Sequence, residues 1–352
     1  TATRILASLN VPLVIAGTPL VTTVSIGLSL FPRDGDDVGA LLRHSDTAMY
    51  QAKDCGRNNI QNISPVMDRK LQERVYVEAR LRAAVELVQF DVHYQPIIDI
   101  ETRRVVALEA LIRWKDPEEG FIAPARFLPV AEETGLIEPI GEFVWRHVAA
   151  DMARWREQNL TLVPVAVNLS AGQLMRTDVS AIIVEVTQAH GIDPAMLQIE
   201  LTEGAMLQKV DHRSGRSSEA VINDVRSLGV RISIDDFGVG YSSLGYLKQL
   251  RVDSLKIDRS FIRDLVSDSN DYAIVAAIFA MAKHLRIRII VEGVEGWPQL
   301  EMLRGLGCRF AQGFLLARPT PAENCAQFLR NEPLRLHDVG GDVLATIAVG
   351  GN

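Results

Sequence analysis

The chain has no surplus of basic charge to offer a nucleic-acid backbone: 37 lysines and arginines face 44 aspartates and glutamates, for a net charge of −7. Nonspecific binding to a polynucleotide needs a basic face, so no nucleic-acid polymer is expected as a partner. A small anionic ligand held through metal ions stays compatible with this balance. Cysteine is scarce as well. Cys55, Cys308 and Cys325 form no C-x-x-C pair and no even set, which favours a reduced, cytosolic setting with the thiols as ordinary core residues. An unbroken membrane span is also missing. Val11 to Phe31 is uncharged and long enough, but Pro12, Gly17, Pro19 and Gly27 interrupt it and VTTVSIGLSL alternates like a strand. It reads as two strands and a turn. No signal peptide is visible, and the true start is expected upstream of the initial threonine.

What is present fits a large globular chain: 352 residues, 47% apolar and 23% charged, enough for two domains or for one barrel with additions. Residues 1–63 form a first block with a helix over Thr3–Leu9, a hairpin and a helix around Asp37–Cys55. A charged amphipathic helix follows, carrying Leu71, Val75, Leu81, Val85 and Val88 at helical spacing, and links the blocks over 64–88. The main block runs from 89 to 332. Residues 333–352 are glycine-rich and are expected to fray.

In the main block, eight strand-like segments alternate with amphipathic helices: Val92–Ile98, Val105–Arg113, Val163–Asn168, Leu197–Leu201, Arg231–Asp235, Ser254–Ile257, Arg288–Glu292 and Phe310–Gln312. Helical patterns fill most gaps, as at Phe143–Gln158, Val179–His190, Ser218–Leu228, Tyr272–Leu285 and Pro298–Leu306. The expected fold is an α/β (β/α)8 TIM-like barrel. The connection Asp99–Arg103 is too short for a helix, so one strand near the start is expected to run antiparallel.

Strand parity then sorts the polar residues. Glu109, Leu111 and Arg113 share a face opposite Val106, Leu108 and Ile112. Asn168, Glu200, Lys256, Glu292 and Gln312 likewise oppose apolar neighbours, at or near the C-terminal end of their strands, where barrel enzymes build active sites. Singly, each reads as well as a loop contact. The segment RISIDDFGVGYSS (Arg231–Ser243) adds Asp235 and Asp236. On a continuing strand the two would point to opposite faces, so the strand is expected to end between them, with Gly238 and Gly240 permitting the break. On that stretch alone, the pair reads equally as a helix cap or as a cation site.

Four carboxylates on one rim (Glu109, Glu200, Asp235, Asp236) shift that balance. Two carboxylates about 4 Å apart repel by roughly 4 kcal/mol at an effective dielectric near 20. One or two divalent cations would compensate, and hard oxygen donors without His or Cys favour Mg²⁺ or Mn²⁺ over Zn²⁺. Lys256 adds one positive charge, suited to holding a water near an anionic substrate, and Arg113 could grip a phosphate oxygen. Spacing alone leads to a metal-dependent hydrolase on an α/β barrel, with two-metal phosphodiester hydrolysis as the chemistry that suits such a set.

The main block also resembles the EAL family of cyclic di-GMP phosphodiesterases. The resemblance is carried by LEALIRW around Glu109-Ala110-Leu111, YQPI (Tyr94–Ile97), GFIAPARFLPVAEETGLI (Gly120–Ile137), VNLS (Val167–Ser170), ELTE (Glu200–Glu203), IDDFGVGYSS (Ile234–Ser243), LKIDRSFI (Leu255–Ile262), VEGVE (Val291–Glu295) and AQGF (Ala311–Phe314). The first block resembles the C-terminal part of a GGDEF, or diguanylate cyclase, domain, through VTTVSIG, FPRDG and SDTAMYQAK, but the GG[DE]EF signature is absent from all 352 residues. Lys53 and Arg57 match phosphate-contacting positions of that family without the rest of its site, and read as solvated surface charges.

The EAL resemblance implies opening of cyclic di-GMP to linear pGpG with two Mg²⁺ or Mn²⁺ ions per site, Ca²⁺ being inhibitory. It implies metal ligation by Glu109, Asn168, Glu200, Asp235 and Asp236, with Asp235 bridging. Lys256 would orient the hydrolytic water, and Glu292 and Gln312 would complete the metal–water network, with Lys256, Glu292 and Glu109 as the catalytic set. Gln95, Leu111 and Arg113 match substrate-side contacts, and Glu203 and Glu295 match positions that steady the loop after Asp236. The family often dimerises through its barrel, which implies a homodimer. A cytoplasmic place follows, either free or as the cytoplasmic part of a larger membrane-attached sensor. Val239, Gly245 and Gly296 depart from the family pattern without touching a ligand position. A catalytically silent cyclic di-GMP receptor and an interaction scaffold are the alternatives. Such receptors typically lack an acidic ligand or the lysine, and this chain keeps them all.

Overall fold

Runs of β-branched and aliphatic residues become strands where alternate side chains can be buried, and eight such runs close into one barrel. The computed structural model describes residues 1–9, 13–15, 18–20, 22–54, 56–62, 65–206, 217–239, 252–330 and 332–334. The barrel strands are β1 (Phe90–Asp99), β2 (Arg104–Asp116), β3 (Val165–Asn168), β4 (Leu197–Thr202), β5 (Arg231–Phe237), β6 (Ser254–Ile257), β7 (Arg288–Val291) and β8 (Phe310–Ala311). From β2 to β8 each strand pairs in parallel with the next. β1 closes the ring, antiparallel to both β2 and β8.

The antiparallel strand has the expected cause. Only residues 100–103 join β1 to β2, far short of the dozen or more that a parallel crossover needs. Asp99 shapes the turn by accepting the N–H groups of Glu101 and Thr102 at 3.0 and 3.1 Å, and Arg103 takes a left-handed φ of 58°. Two short strands extend the ring antiparallel at its seam, Gly120–Ile122 on β2 and Thr320–Pro321 on β1.

Helices Ile137–Glu157, Val179–His190, Ser218–Ser227, Ser269–Leu285 and Trp297–Gly305 cover the outside. The first shows why: Ile140, Val144, Val148 and Met152 recur at helical spacing and are all buried. Val144, Val148 and Met152 join the outward faces of the strands, Val165, Val167, Ile199, Leu201, Ile232, Ile234, Leu255 and Ile257 among them, in one continuous core. Cys308 and Cys325 are buried free thiols, as expected, while Cys55 lies outside the described residues.

Residue contacts divide the chain into two units, 1–81 and 82–352. In the first, helix Val38–Asp54 packs Ala48 and Ala52, both fully buried, beside the parallel strands Ile26–Leu28 and Ile60–Asn62. Leu13–Ile15 and Thr18–Leu20 pair as an antiparallel hairpin, where the sequence offered a strand pair instead of a span. No helix among the described residues is long and apolar enough to cross a membrane. Lys53 and Arg57 are both exposed, Lys53 lying over the Tyr50 ring.

Candidate active site

Inward-facing carboxylates at or just beyond the C-terminal ends of β2, β4, β5 and β7 surround one ammonium group. Lys256 on β6 is fully buried, and its Nζ lies 2.7 Å from Glu200 Oε2, 2.6 Å from Glu292 Oε1, 3.1 Å from Glu109 Oε2 and 3.5 Å from Asp235 Oδ1. Burial by itself would lower its pKa; these four carboxylates outweigh burial and hold it well above the ordinary lysine range. The side chain therefore remains an ammonium across the physiological range.

The carboxylates divide by environment. Burial pushes Glu109 up, but the Lys256 charge and hydrogen bonds from Gln312 and Asn168 bring it below its usual value. Asn168 Nδ2 donates to Glu109 Oε1 at 2.7 Å, and Gln312 Nε2 to Glu109 Oε2 at 2.8 Å. Glu200 is raised well above its usual value by burial, with the charges of Glu109 and Asp235 working against Lys256. Asp235 moves up for the same first reason. Burial and then neighbouring charge push Glu292 up to about 8, and burial with Asp235 and Asp258 pushes Asp236 up to about 6.

The double aspartate reaches one site by a different route from the expected one. β5 does not end between Asp235 and Asp236; it runs on to Phe237, and its pairing with β6 slips between Ile234 and Phe237. Asp236 itself takes the left-handed conformation (φ 52°), which Asp tolerates better than most residues. Its N–H donates to Asp235 Oδ1 at 2.9 Å. Gly238 (φ 102°) then turns the chain away, while Gly240 and Gly245 lie outside the described residues.

Oxygens from Glu109, Glu200 and Asp235 lie within 4.8 Å of one another, as do those from Asp235, Asp236 and Glu292. Asp235 belongs to both triads. Glu200 Oε1 is buried and has no hydrogen-bond partner among the described residues, a cost that a cation would remove. With every carboxyl ionised, five carboxylates against one lysine would leave four negative charges, the charge of two divalent ions. All-oxygen donors of this kind suit a hard divalent cation.

Two cavities open onto the cluster. One, of about 290 Å³, is lined by Gln95, Glu109, Asp235, Asp236, Glu292 and Gln312, together with Leu111 and Glu295. Gln95 is fixed from both sides: its Nε2 donates to the Ala317 carbonyl and its Oε1 accepts from Gln312. The other, of about 270 Å³ and more apolar, is lined by Leu111, Arg113, Asn168, Glu200 and both aspartates. Arg113 lines it with one guanidinium N–H donated to the Ile112 carbonyl. Burial lowers Arg113 from its ordinary range, Glu109 and Asp91 opposing that shift. Glu203 opens the helix Glu203–Met206 just after β4; the loop it is expected to steady continues into residues 240–251, outside those described.

Sequence reasoning passed over Asp258, Arg259 and Phe314 on the first cavity and Glu132 and Gln173 on the second. Asp258 had a signal: it shares parity with Lys256 just beyond the end of β6. It also caps helix Arg259–Arg263 by accepting the Ser260 N–H at 2.9 Å, which is the bland reading of an Asp there.

Gly313 fixes how the loops after β7 and β8 meet. A Cβ there would lie 2.2 Å from the Val294 carbonyl oxygen and 2.3 Å from its nitrogen. Val294 in turn donates to the Gln312 carbonyl at 3.1 Å. Gly313→Ala must separate two backbones that carry Glu292 and Gln312, so it is expected to cost about 1–3 kcal/mol and to reduce activity. Thermal melts check the first part, and an unchanged midpoint would contradict the contact.

The EAL domain family model matches residues 78–319, and the model for the diguanylate cyclase, GGDEF domain matches residues 1–59. The cyclic di-GMP phosphodiesterase NbdA of Pseudomonas aeruginosa is 37% identical over 327 residues, 93% of this chain and 41% of NbdA. The bifunctional diguanylate cyclase/cyclic di-GMP phosphodiesterase MucR of the same organism is 40% identical over 322 residues, 92% of this chain and 46% of MucR. The chain thus spans less than half the length of these relatives. The structure of the PaMucR phosphodiesterase in complex with c-di-GMP superposes with a TM-score of 0.66 at 42% identity, covering 70% of this chain and 98% of that one.

Proposed function

This chain belongs to the EAL domain family, and from that premise we propose that it hydrolyses cyclic di-GMP to linear pGpG at the rim of its barrel. The observation that supports this most is the buried Lys256 among four carboxylates, beside a Glu200 oxygen left without a partner. A receptor needs to hold the nucleotide; it has no need of a charged lysine kept dry at the centre of an acidic cluster.

In this reading Glu109, Asn168, Glu200, Asp235 and Asp236 would hold two Mg²⁺ or Mn²⁺ ions, Asp235 being the residue common to both acidic triads. When bound, the ions supply Lewis acidity and neutralise charge on the reacting phosphate. Lys256 holds its proton on Nζ and directs it at the attacking water. Glu292, 2.6 Å from that nitrogen, fixes its direction. Gln312 and Gln95, joined at 2.9 Å, form the opposite wall. Leu111 and Arg113 reach from the Glu109 strand toward the substrate, Arg113 offering its planar donors to a phosphate oxygen. Water adds to phosphorus and gives up a proton to solvent, the bond to one ribose oxygen breaks, and that oxygen takes up a proton from solvent and leaves as a hydroxyl. Glu203 and Glu295 steady the loop after Asp236, and the GGDEF-like segment is carried without cyclase chemistry.

The test is direct: the full chain with cyclic di-GMP and Mg²⁺, followed by chromatography for pGpG. Product is expected with Mg²⁺ or Mn²⁺. Ca²⁺, larger and looser in geometry, is expected to support binding with little turnover. Clear nucleotide binding without product in either Mg²⁺ or Mn²⁺ would make the chain a receptor instead. Turnover in Ca²⁺ equal to that in Mg²⁺ would reject the ion assignment.

A further inference from the structure

Barrel interiors are normally filled below the active site by branched aliphatic side chains in layers. Here the layer beneath the site is apolar on one side only. Ile97, Ala107, Ile290 and Phe310, from β1, β2, β7 and β8, pack together. On β4, β5 and β6 the same depth is occupied by Gln198, Ser233 and Ser254, each buried to 5% exposure or less. Each stands two residues before a member of the site on the same strand face: Gln198 before Glu200, Ser233 before Asp235, Ser254 before Lys256.

The three form a one-way chain of donors across the strands. Gln198 Nε2 donates to Ser254 Oγ at 3.5 Å, Ser254 Oγ donates to Ser233 Oγ at 3.0 Å, and Ser233 Oγ donates to the Ser254 carbonyl at 3.5 Å. Burying hydroxyl and amide groups is unfavourable unless they are bonded, and aliphatic residues would fill this space at no such cost. The bonds tie together the three strands that deliver Glu200, Asp235 and Lys256. Ser233 is also the register partner of both Glu200 and Ser254, so it sits where all three strands meet.

We propose that Gln198, Ser233 and Ser254 are positioning residues: a polar floor that sets the spacing of Glu200, Asp235 and Lys256 for divalent-ion binding and water attack. None of the three touches the substrate or the reacting atoms. The proposal rests on the hydrolase reading above for its catalytic consequence, and on the acidic cluster alone for its effect on ion binding.

The experiment replaces the whole floor at once, as Gln198→Leu/Ser233→Ala/Ser254→Ala in the full chain. Removing every partner together leaves no stranded donor, so the fold is expected to keep its unfolding midpoint or gain slightly. Three readouts follow: the melt, Mn²⁺ affinity by electron paramagnetic resonance without nucleotide, and kcat and KM for cyclic di-GMP. Expected are a several-fold loss of Mn²⁺ affinity and a fall in kcat of about tenfold, with KM changed by less than twofold. A second variant, Ser233→Thr/Ser254→Thr, keeps both hydroxyls and is expected to recover most of the Mn²⁺ affinity. Parent-like Mn²⁺ affinity in the apolar triple variant overturns the proposal, as does a loss that merely tracks a lowered midpoint. If the parent chain binds Mn²⁺ but makes no product, the hydrolase reading fails while the Mn²⁺ comparison still decides the floor.

Discussion

Lys256→Met is expected to cut pGpG formation by about two to three orders of magnitude, the range for removing one preorganised electrostatic group. Methionine keeps most of the buried stem and deletes only the charge, so packing is nearly conserved. What remains is a dry site where Glu109, Glu200, Asp235 and Glu292 face one another without their shared cation. Breaking a buried ion pair from one side typically costs about 3–5 kcal/mol, and the metal-free variant should lose stability on that scale near pH 8. The loss should shrink toward pH 5, where the carboxylates can take up protons in place of the ammonium. Mg²⁺ should restore stability to the variant without restoring turnover, because ions replace the charge but not the directed N–H. Melts in chelator and in Mg²⁺, beside the product assay, separate these effects. Parent-like turnover in Lys256→Met would remove the lysine from the mechanism.

Much of this arrangement was legible in the sequence because a strand's period of two is a geometric rule. Parity alone put Glu109, Glu200, Asp235 and Lys256 on inward faces, and alternating segments near 240 residues implied a closed ring. The short Asp99–Arg103 connection also revealed the reversed strand. Parity failed where the strand is irregular. A break between Asp235 and Asp236 was the simplest way to aim both at one site, and the glycines invited it. The chain instead slips its register and lets Asp236 adopt a left-handed φ, a choice governed by the neighbouring strand. Nor could parity distinguish a polar interior residue with a partner from one without. Gln198, Ser233 and Ser254 had the right face but no chemical signature, and their hydrogen bonds join residues 21 and 56 positions apart. Asp258 was hidden by its second role as a helix cap.

Chelation of divalent ions is expected to abolish turnover and also to expose a fall in stability as pH rises. A carboxyl whose pKa is higher in the folded than in the unfolded chain binds more protons when folded, so stability falls as pH rises between the two values. In the metal-free protein Glu292 sits at about 8 against an ordinary value near 4.5, and Asp236 at about 6 against 3.8. Asp235 and Glu200 are displaced the same way. Glu109 and the neighbouring Asp258 are displaced downward, and their contribution is complete above about pH 5. From pH 5 to 8 the site should therefore destabilise the metal-free fold progressively, Asp236 contributing less because it is half exposed to solvent screening. Divalent ions bind the ionised carboxylates, so the stabilisation they provide should grow over the same interval and flatten the profile. Melts from pH 5 to 8.5 with chelator and with Mg²⁺ test both slopes. Glu292→Gln, which cannot ionise, should remove part of the metal-free slope. A metal-free slope left unchanged by that substitution would place the titrating charge elsewhere, and a Mg²⁺ stabilisation independent of pH would mean that the cluster does not hold the ions.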